Sequence, residues 1–257
     1  MYLYSVSFLF MYYITALLIV LGLGLSVSAQ KKPVIDAVEK PASVISGDSP
    51  EVLAKAVVSA HGGDKFRAMK TLVVRGSVDV TASALNQPLI GGFSMAYAGD
   101  KYRIELATPM QSFKQAYDGE QTYSSIELGF NLPPMNRLGM PLLQHVGDKG
   151  FVVSKLPDGA KKKLGFRITA PDGFFTDYFV DEKTNQIKSY ESQYEYSGRT
   201  FTTSVVIDKY RAIEGILIPE KYSQRFDLGQ LVVYGDFKSK DILINTELAP
   251  DVFTIVK

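Results

Sequence analysis

From Leu72 onward the chain alternates apolar and polar residues with a period of two. That alternation limits the fold more than any other feature of the sequence. In "LVVRGSVDV", Leu72, Val74, Val78 and Val80 fall on one face while Val73, Arg75, Ser77 and Asp79 fall on the other, as in a strand with one buried side. In "GGFSMAYAGDKYRIEL", Phe93, Met95 and Tyr97 run to a turn at Gly99-Asp100, and Tyr102, Ile104 and Leu106 run back. "FKQAYDGEQTYSSI" repeats the device around Asp118-Gly119, a pair that tolerates the positive φ angles of a tight hairpin. Turn signals then recur at Pro171-Asp172-Gly173, Lys183-Thr184-Asn185, Ser197-Gly198, Glu214-Gly215 and Leu228-Gly229, about a dozen residues apart. Such spacing leaves no room for the helical crossovers that parallel strands need, so it predicts an antiparallel meander of about ten strands.

Two stretches break this pattern. In "SPEVLAKAVVSAHGG", Ser49 can cap, Pro50 suits the first helical position, Val52, Leu53, Ala56, Val57 and Ala60 share a face, and Gly62-Gly63 ends the helix. A short second helix over "DKFRAMK" follows. "NLPPMNRLGMPLLQHVGDKG" sets three prolines around Leu138, Met140, Leu142 and Leu143, which predicts one or two helical turns with an apolar face. The expected fold class is therefore mainly β (α+β): a strongly curved antiparallel sheet, or unclosed β-barrel, covered by an N-terminal helix and a short helical insert.

Residues 1–29 carry no charged side chain, and "VSA" before Gln30 places small residues at −1 and −3. This predicts a signal peptide cleaved after Ala29, and hence a periplasmic mature protein. The alternative is an uncleaved anchor in the inner membrane, because about 20 apolar residues span a bilayer. Residues 30–48, with two prolines and no sustained period, read as a linker. Residues 49–257 make one domain. Lys and Arg total 28 against 27 acidic residues, a balance that provides no field for nucleic acid. The absence of cysteine removes disulfides, thiolate metal sites and a thiol nucleophile.

Catalytic patterns are missing too. His61 and His145 have no metal-ligand spacing, and His61, beside the double glycine, is expected to face the helix end and solvent. Ser94, in "GFSMA", lacks the nucleophile elbow. The pairs Asp181-Glu182 and Asp118-Glu120 fall in turns, and Lys161-Lys162-Lys163 reads as a solubilising edge. The expectation is a protein that is not an enzyme and uses no metal and no cofactor. What remains is apolar and aromatic surface, with fifteen Tyr, fifteen Phe and no Trp. A curved sheet with too few covering helices leaves a hollow, and hollows of that kind bind ligands. The candidate wall is Phe93, Met95, Tyr97, Tyr102, Ile104, Phe113, Tyr123, Phe179 and Tyr194, with Leu138, Met140, Leu142 and Leu143 as a lid.

Taken in order, "AHGG", "AYDGEQTYSSI", the Pro-rich insert, "FVDEKTNQIKSY", "GILIPEKY" and "ILINTELAPDVFTI" resemble the periplasmic lipoprotein-carrier superfamily, the LolA/LolB-like proteins. The resemblance spans roughly residues 50–257. It implies an unclosed antiparallel barrel with an apolar cavity for lipid acyl chains, acting in lipoprotein sorting as a monomer. One departure stands out: the family's lid-holding arginine precedes a proline after the second long strand, where this chain reads "YAGDKY" with Ala98 and Gly99. The expected partners are lipid acyl chains or a lipoprotein, with an envelope protein as a further partner. A sensor or interaction module of the same fold, without lipid transport, is the alternative.

Overall fold

The structure is a computed structural model that describes residues 49–83, 85–109, 112–125, 135–157, 163–196, 199–227 and 232–254. The expected signal peptide and linker, Lys161, Lys162, and the turns at Ser197-Gly198 and Leu228-Gly229 lie outside the described residues. Helix α1 is Pro50–Ala60 and α2 is Asp64–Arg67. Strands β1 (Thr71–Ala82), β2 (Leu89–Ala98), β3 (Lys101–Ala107), β4 (Ser112–Tyr117) and β5 (Thr122–Ser124) follow. The insert contains a 3₁₀ turn at Met135–Arg137 and α3 at Gly139–Leu143. The chain closes with β6 (Val152–Ser154), β7 (Gly165–Thr169), β8 (Phe175–Val180), β9 (Ile187–Tyr196), β10 (Arg199–Ile213), β11 (Ile216–Asp227) and β12 (Val232–Ile244).

All twelve strands belong to one antiparallel sheet in the order β5-β4-β3-β2-β1-β12-β11-β10-β9-β8-β7-β6. The chain starts at the centre, meanders to one edge, crosses through the insert to the other edge, and meanders back until β12 pairs with β1. The sheet is not closed between β5 and β6, which makes it an unclosed β-barrel with the insert linking its two edges. Each pairing is between sequence neighbours except β1 with β12, so short turns set most of the register.

Local chemistry explains the punctuation. Ser49 Oγ accepts from the Val52 N–H at 3.3 Å, and Gly62 and Gly63 take φ angles of 120° and 57° beyond the helix. The buried face of α1 is Leu53, Ala54, Val57, Val58 and Ala60, whereas Val52 is exposed. Asp118 Oδ1 accepts from the N–H groups of Glu120 and Gln121, both at 2.9 Å. The β4–β5 connection is thus a four-residue turn between Tyr117 and Thr122, held by a side chain, rather than a two-residue hairpin. Within β1 the register slips between Arg75 and Gly76. A Cβ on Gly76 would stand 2.1 Å from the Lys238 carbonyl oxygen, so this bulge requires glycine.

The strands lay the apolar residues out in rungs. Leu72, Tyr97, Tyr102 and Tyr117 form one, Val74, Met95, Ile104 and Gln115 the next, and Gly76, Phe93, Leu106 and Phe113 a third. This face receives the helices: α1 lies against β6 and β7, and α3 against β9. Val73 and Ala96, on the opposite face, are sheltered by Phe253 and Val252 of the C-terminal segment. Arg103 fastens that segment by donating to the carbonyls of Val252 and Thr254, both at 2.9 Å.

Candidate functional site

The helix-bearing face is covered unevenly. α1 supplies eleven residues, but α2 and α3 supply four and five, too few to roof the long strands beside them. Between those short covers and the sheet lies a cavity of about 660 Å³, within the range of about 300–1,000 Å³ usual for small-molecule sites. Its floor is Leu72 and Val74 of β1, Met95 and Tyr97 of β2, Tyr190 of β9, Val205 of β10, and Ile218, Tyr222 and Gln224 of β11. Its roof is Phe66, Met69 and Lys70 from α2 and the link to β1, with Met135, Met140, Pro141 and Gln144 from the insert.

The roof is anchored at its centre and clasped at its rim. Gly139 at the start of α3 donates its N–H to Thr176 Oγ1 at 3.0 Å, and its carbonyl accepts from the Tyr178 hydroxyl at 2.6 Å. Gly139 has φ +60°, and a Cβ there would lie 2.7 Å from the Tyr190 ring. Only glycine lets the insert come down so closely. At one rim, Arg67 meets Asp148 at 2.7 Å, and His145 Nδ1 lies 2.9 Å from the same carboxylate. At another, Arg137 donates to Asp100 at 2.8 Å and to Asp172 at 3.1 Å, joining the insert to the β2–β3 and β7–β8 turns. Gln144 donates to the Phe66 carbonyl at 2.8 Å, tying the insert to α2.

The cavity brings together Met95, Tyr97 and Met140 from the candidate wall and lid. Phe93, Tyr102, Ile104 and Phe113 share the same sheet face but are packed solid, with Tyr102 accepting from Gln115 Nε2 at 2.8 Å and Phe93 meeting Phe237 edge-on. Leu142 and Leu143 are fully buried in the main core, while Leu138 packs with Tyr194 and Phe201 in a separate cluster. Two candidates stand on the other face of the sheet. Tyr123 pairs with Ala116 and donates to Asp118 at 2.9 Å, and Phe179 lies beneath Lys163 at 4.8 Å.

Leu72, Val74, Tyr190, Val205, Ile218, Tyr222 and Gln224, which complete the floor, are not among the sequence candidates. Their alternation is visible in the sequence, but which part of the inner face lies beneath the insert depends on the chain's crossing path.

His61 departs from its expected place at the solvent. It is fully buried, and its Nε2 accepts from the Ile187 N–H at 3.2 Å while its own carbonyl accepts from the Leu217 N–H at 3.1 Å. The proton therefore sits on Nδ1, and burial pushes the imidazole pKa down to about 4. His61 works as a neutral splice between α1 and strands β9 and β11. Among the described residues no group of three or more His, Asp or Glu could hold a metal, and no helix is long and apolar enough to cross a membrane.

No protein-family model and no curated protein matches this chain. Among solved structures, the chain is similar to a LolA superfamily protein from Nitrosomonas europaea, with 12% identity and a TM-score of 0.49 over 79% of this chain and 97% of that one. It is also similar to a DUF1329 family protein from Desulfovibrio piger (11%, TM-score 0.45, 79% and 95%). A third is a domain from Vibrio parahaemolyticus assigned to outer membrane lipoprotein sorting (9%, TM-score 0.43, 79% and 95%).

Proposed function

We propose that this protein is an exported carrier that holds lipid acyl chains, free or as part of a lipoprotein, in the cavity between the sheet and the insert. The observation that carries the reading is a hollow of about 660 Å³ whose floor is built from Leu72, Val74, Met95, Val205 and Ile218. The protein's own side chains leave that space unfilled although apolar surface lines it. A guest chain completes the packing: each buried methylene contributes about 0.8 kcal/mol, so a 16-carbon chain supplies roughly 12 kcal/mol before the costs of ordering and opening. The covers suit reversible loading, because the rim is held by exposed ion pairs worth at most about 1 kcal/mol each. In this reading residues 1–29 direct export and residues 30–48 link them to the domain. No step of chemistry is assigned to it.

The test is a native mass spectrum of the exported protein, followed by titration with a fluorescent fatty acid. A lipid-sized mass increment, and saturable binding at one site, are expected. Met95→Lys places a charge in the cavity wall that is costly to bury and lowers the affinity at least about 100-fold while the fold is kept. An empty protein that binds no fatty acid overturns the proposal.

A further inference from the structure

The cavity is not wholly apolar. Tyr97, Tyr190 and Tyr222 all line it, and they come from β2, β9 and β11, no two of which are neighbours in the sheet order. Their rings are placed by packing: Tyr222 stacks on Phe237 with centroids 4.8 Å apart, and Tyr190 lies against Gly139 and 6.2 Å from the Tyr178 ring. Their hydroxyls lack firm protein partners. The Tyr97 hydroxyl reaches only the Met95 sulfur, at 3.8 Å, a weak acceptor. Among the described residues the hydroxyls of Tyr190 and Tyr222 have no hydrogen-bond partner, although Tyr222 is only 8% exposed. Of the tyrosines outside the cavity, Tyr178, Tyr102 and Tyr210 have hydroxyls paired to protein groups, whereas the Tyr194 hydroxyl is buried without a partner.

Burial raises the pKa of all three phenols, and mutual repulsion of their ionised forms adds to the shift for Tyr97 and Tyr222. They are therefore neutral O–H donors that line one cavity. A buried donor without an acceptor is costly, and a plain hydrocarbon guest would leave Tyr190 and Tyr222 in that state and Tyr97 with only the weak Met95 sulfur.

We infer that Tyr97, Tyr190 and Tyr222 form a hydrogen-bond-donating cluster inside the cavity, which selects acyl ligands carrying a carbonyl oxygen, as an ester or a carboxylic acid, over hydrocarbon alone. The carbonyl sits within the cavity at the tyrosines, and the hydrocarbon tail runs along Val74, Met95 and Ile218. The inference rests on the proposed acyl-chain function and adds the chemical class of the group beside the chain.

The experiment is displacement of a fluorescent fatty acid from the full mature chain by dodecanoic acid, methyl dodecanoate and a linear hydrocarbon of matching length. The infrared carbonyl stretch of bound carbonyl-labelled methyl dodecanoate is recorded alongside. The expected result is that the acid or the ester displaces the probe at about one-tenth the concentration of the hydrocarbon, with the bound ester carbonyl shifted to lower frequency. Preference for the ester identifies an acyl ester as the ligand, and preference for the acid a free fatty acid. In the variant carrying Tyr97→Phe, Tyr190→Phe and Tyr222→Phe, the preference and the frequency shift are both lost. Single Tyr190→Phe, which removes one oxygen from a half-buried ring, reduces the preference about threefold if the triple variant does not fold. Equal displacement by ester, acid and hydrocarbon in the wild-type protein overturns the tyrosine inference and leaves the acyl-chain carrier standing. Failure of all three to bind overturns both.

Discussion

Under α1 the sheet face is closed: Ala54 and Val57 of the helix pack in one cluster with Phe166 and Ile168 of β7, and none of the four keeps exposed surface. Under α2 and the insert the same face leaves Met95, Tyr97 and Tyr190 only partly buried around a cavity. Strand chemistry is alike in the two regions, so the strands do not cause the difference. Cover length does. An eleven-residue helix with alanines at its contact positions lies flat and close, whereas the insert touches down through Gly139 and leaves a gap beside it. A fold of this kind obtains a binding volume by shortening its lid elements, with no change in the sheet.

Truncation should cost very different amounts in the two regions. Phe166→Ala, in the closed region, is expected to destabilise the domain by about 3–5 kcal/mol, because the neighbours of a fully buried ring cannot collapse onto the space. Met140→Ala, at the cavity roof, should cost about 1 kcal/mol, since that side chain already faces a void. Denaturant midpoints at a common m-value measure both, and equal losses would erase the distinction.

The closed region should also be the acid-sensitive one. The folded-state pKa of His61 is lowered to about 4 from 6.5, so the unfolded state takes up a proton first as pH falls. The stability it protects is complete above about pH 6.5 and is lost progressively down to about pH 4, by up to ~3 kcal/mol. Unfolding curves at pH 7 and pH 4 check this, and His61→Gln should flatten that part of the profile.

Gly139→Ala attacks the contact that distinguishes the two regions. It forces a side chain onto a φ of +60° and into the Tyr190 ring, with an expected cost of about 2 kcal/mol. Faster hydrogen exchange confined to the insert would locate the damage. The smallest effect belongs to Arg137→Ala. Its carboxylate partners are exposed, so stability should change by less than about 1 kcal/mol. Release of a bound fatty acid, followed by stopped-flow fluorescence, should quicken if the clasp holds the roof.

Much of the sheet is legible in the sequence, because its determinants are local. The positive-φ positions Gly99, Gly173, Asn185, Glu214 and Gly215 sit at hairpin connections that the residue types announce. The period-two faces of β1 to β3 follow from side-chain alternation alone. The cavity is much less legible. Tyr102 and Tyr97 are paired across one rung, yet the first is sealed and the second lines the hollow, a difference made by where the insert lands. Tyr190 and Tyr222 arrive from strands about a hundred residues further on, joined to Tyr97 only by tertiary structure. His61 misleads for the same reason: the helix end that should have placed it in solvent is covered by β9 and β11.

The most direct test is a crystal structure with a fatty acid brominated near the middle of its chain, located by the anomalous signal of bromine. One peak between Met95, Tyr190 and Met140, with the surrounding side chains little moved, is the predicted result. A peak elsewhere on the molecule, or no peak and a cavity occupied by the protein's own side chains, would contradict the idea that this sheet is completed by a guest.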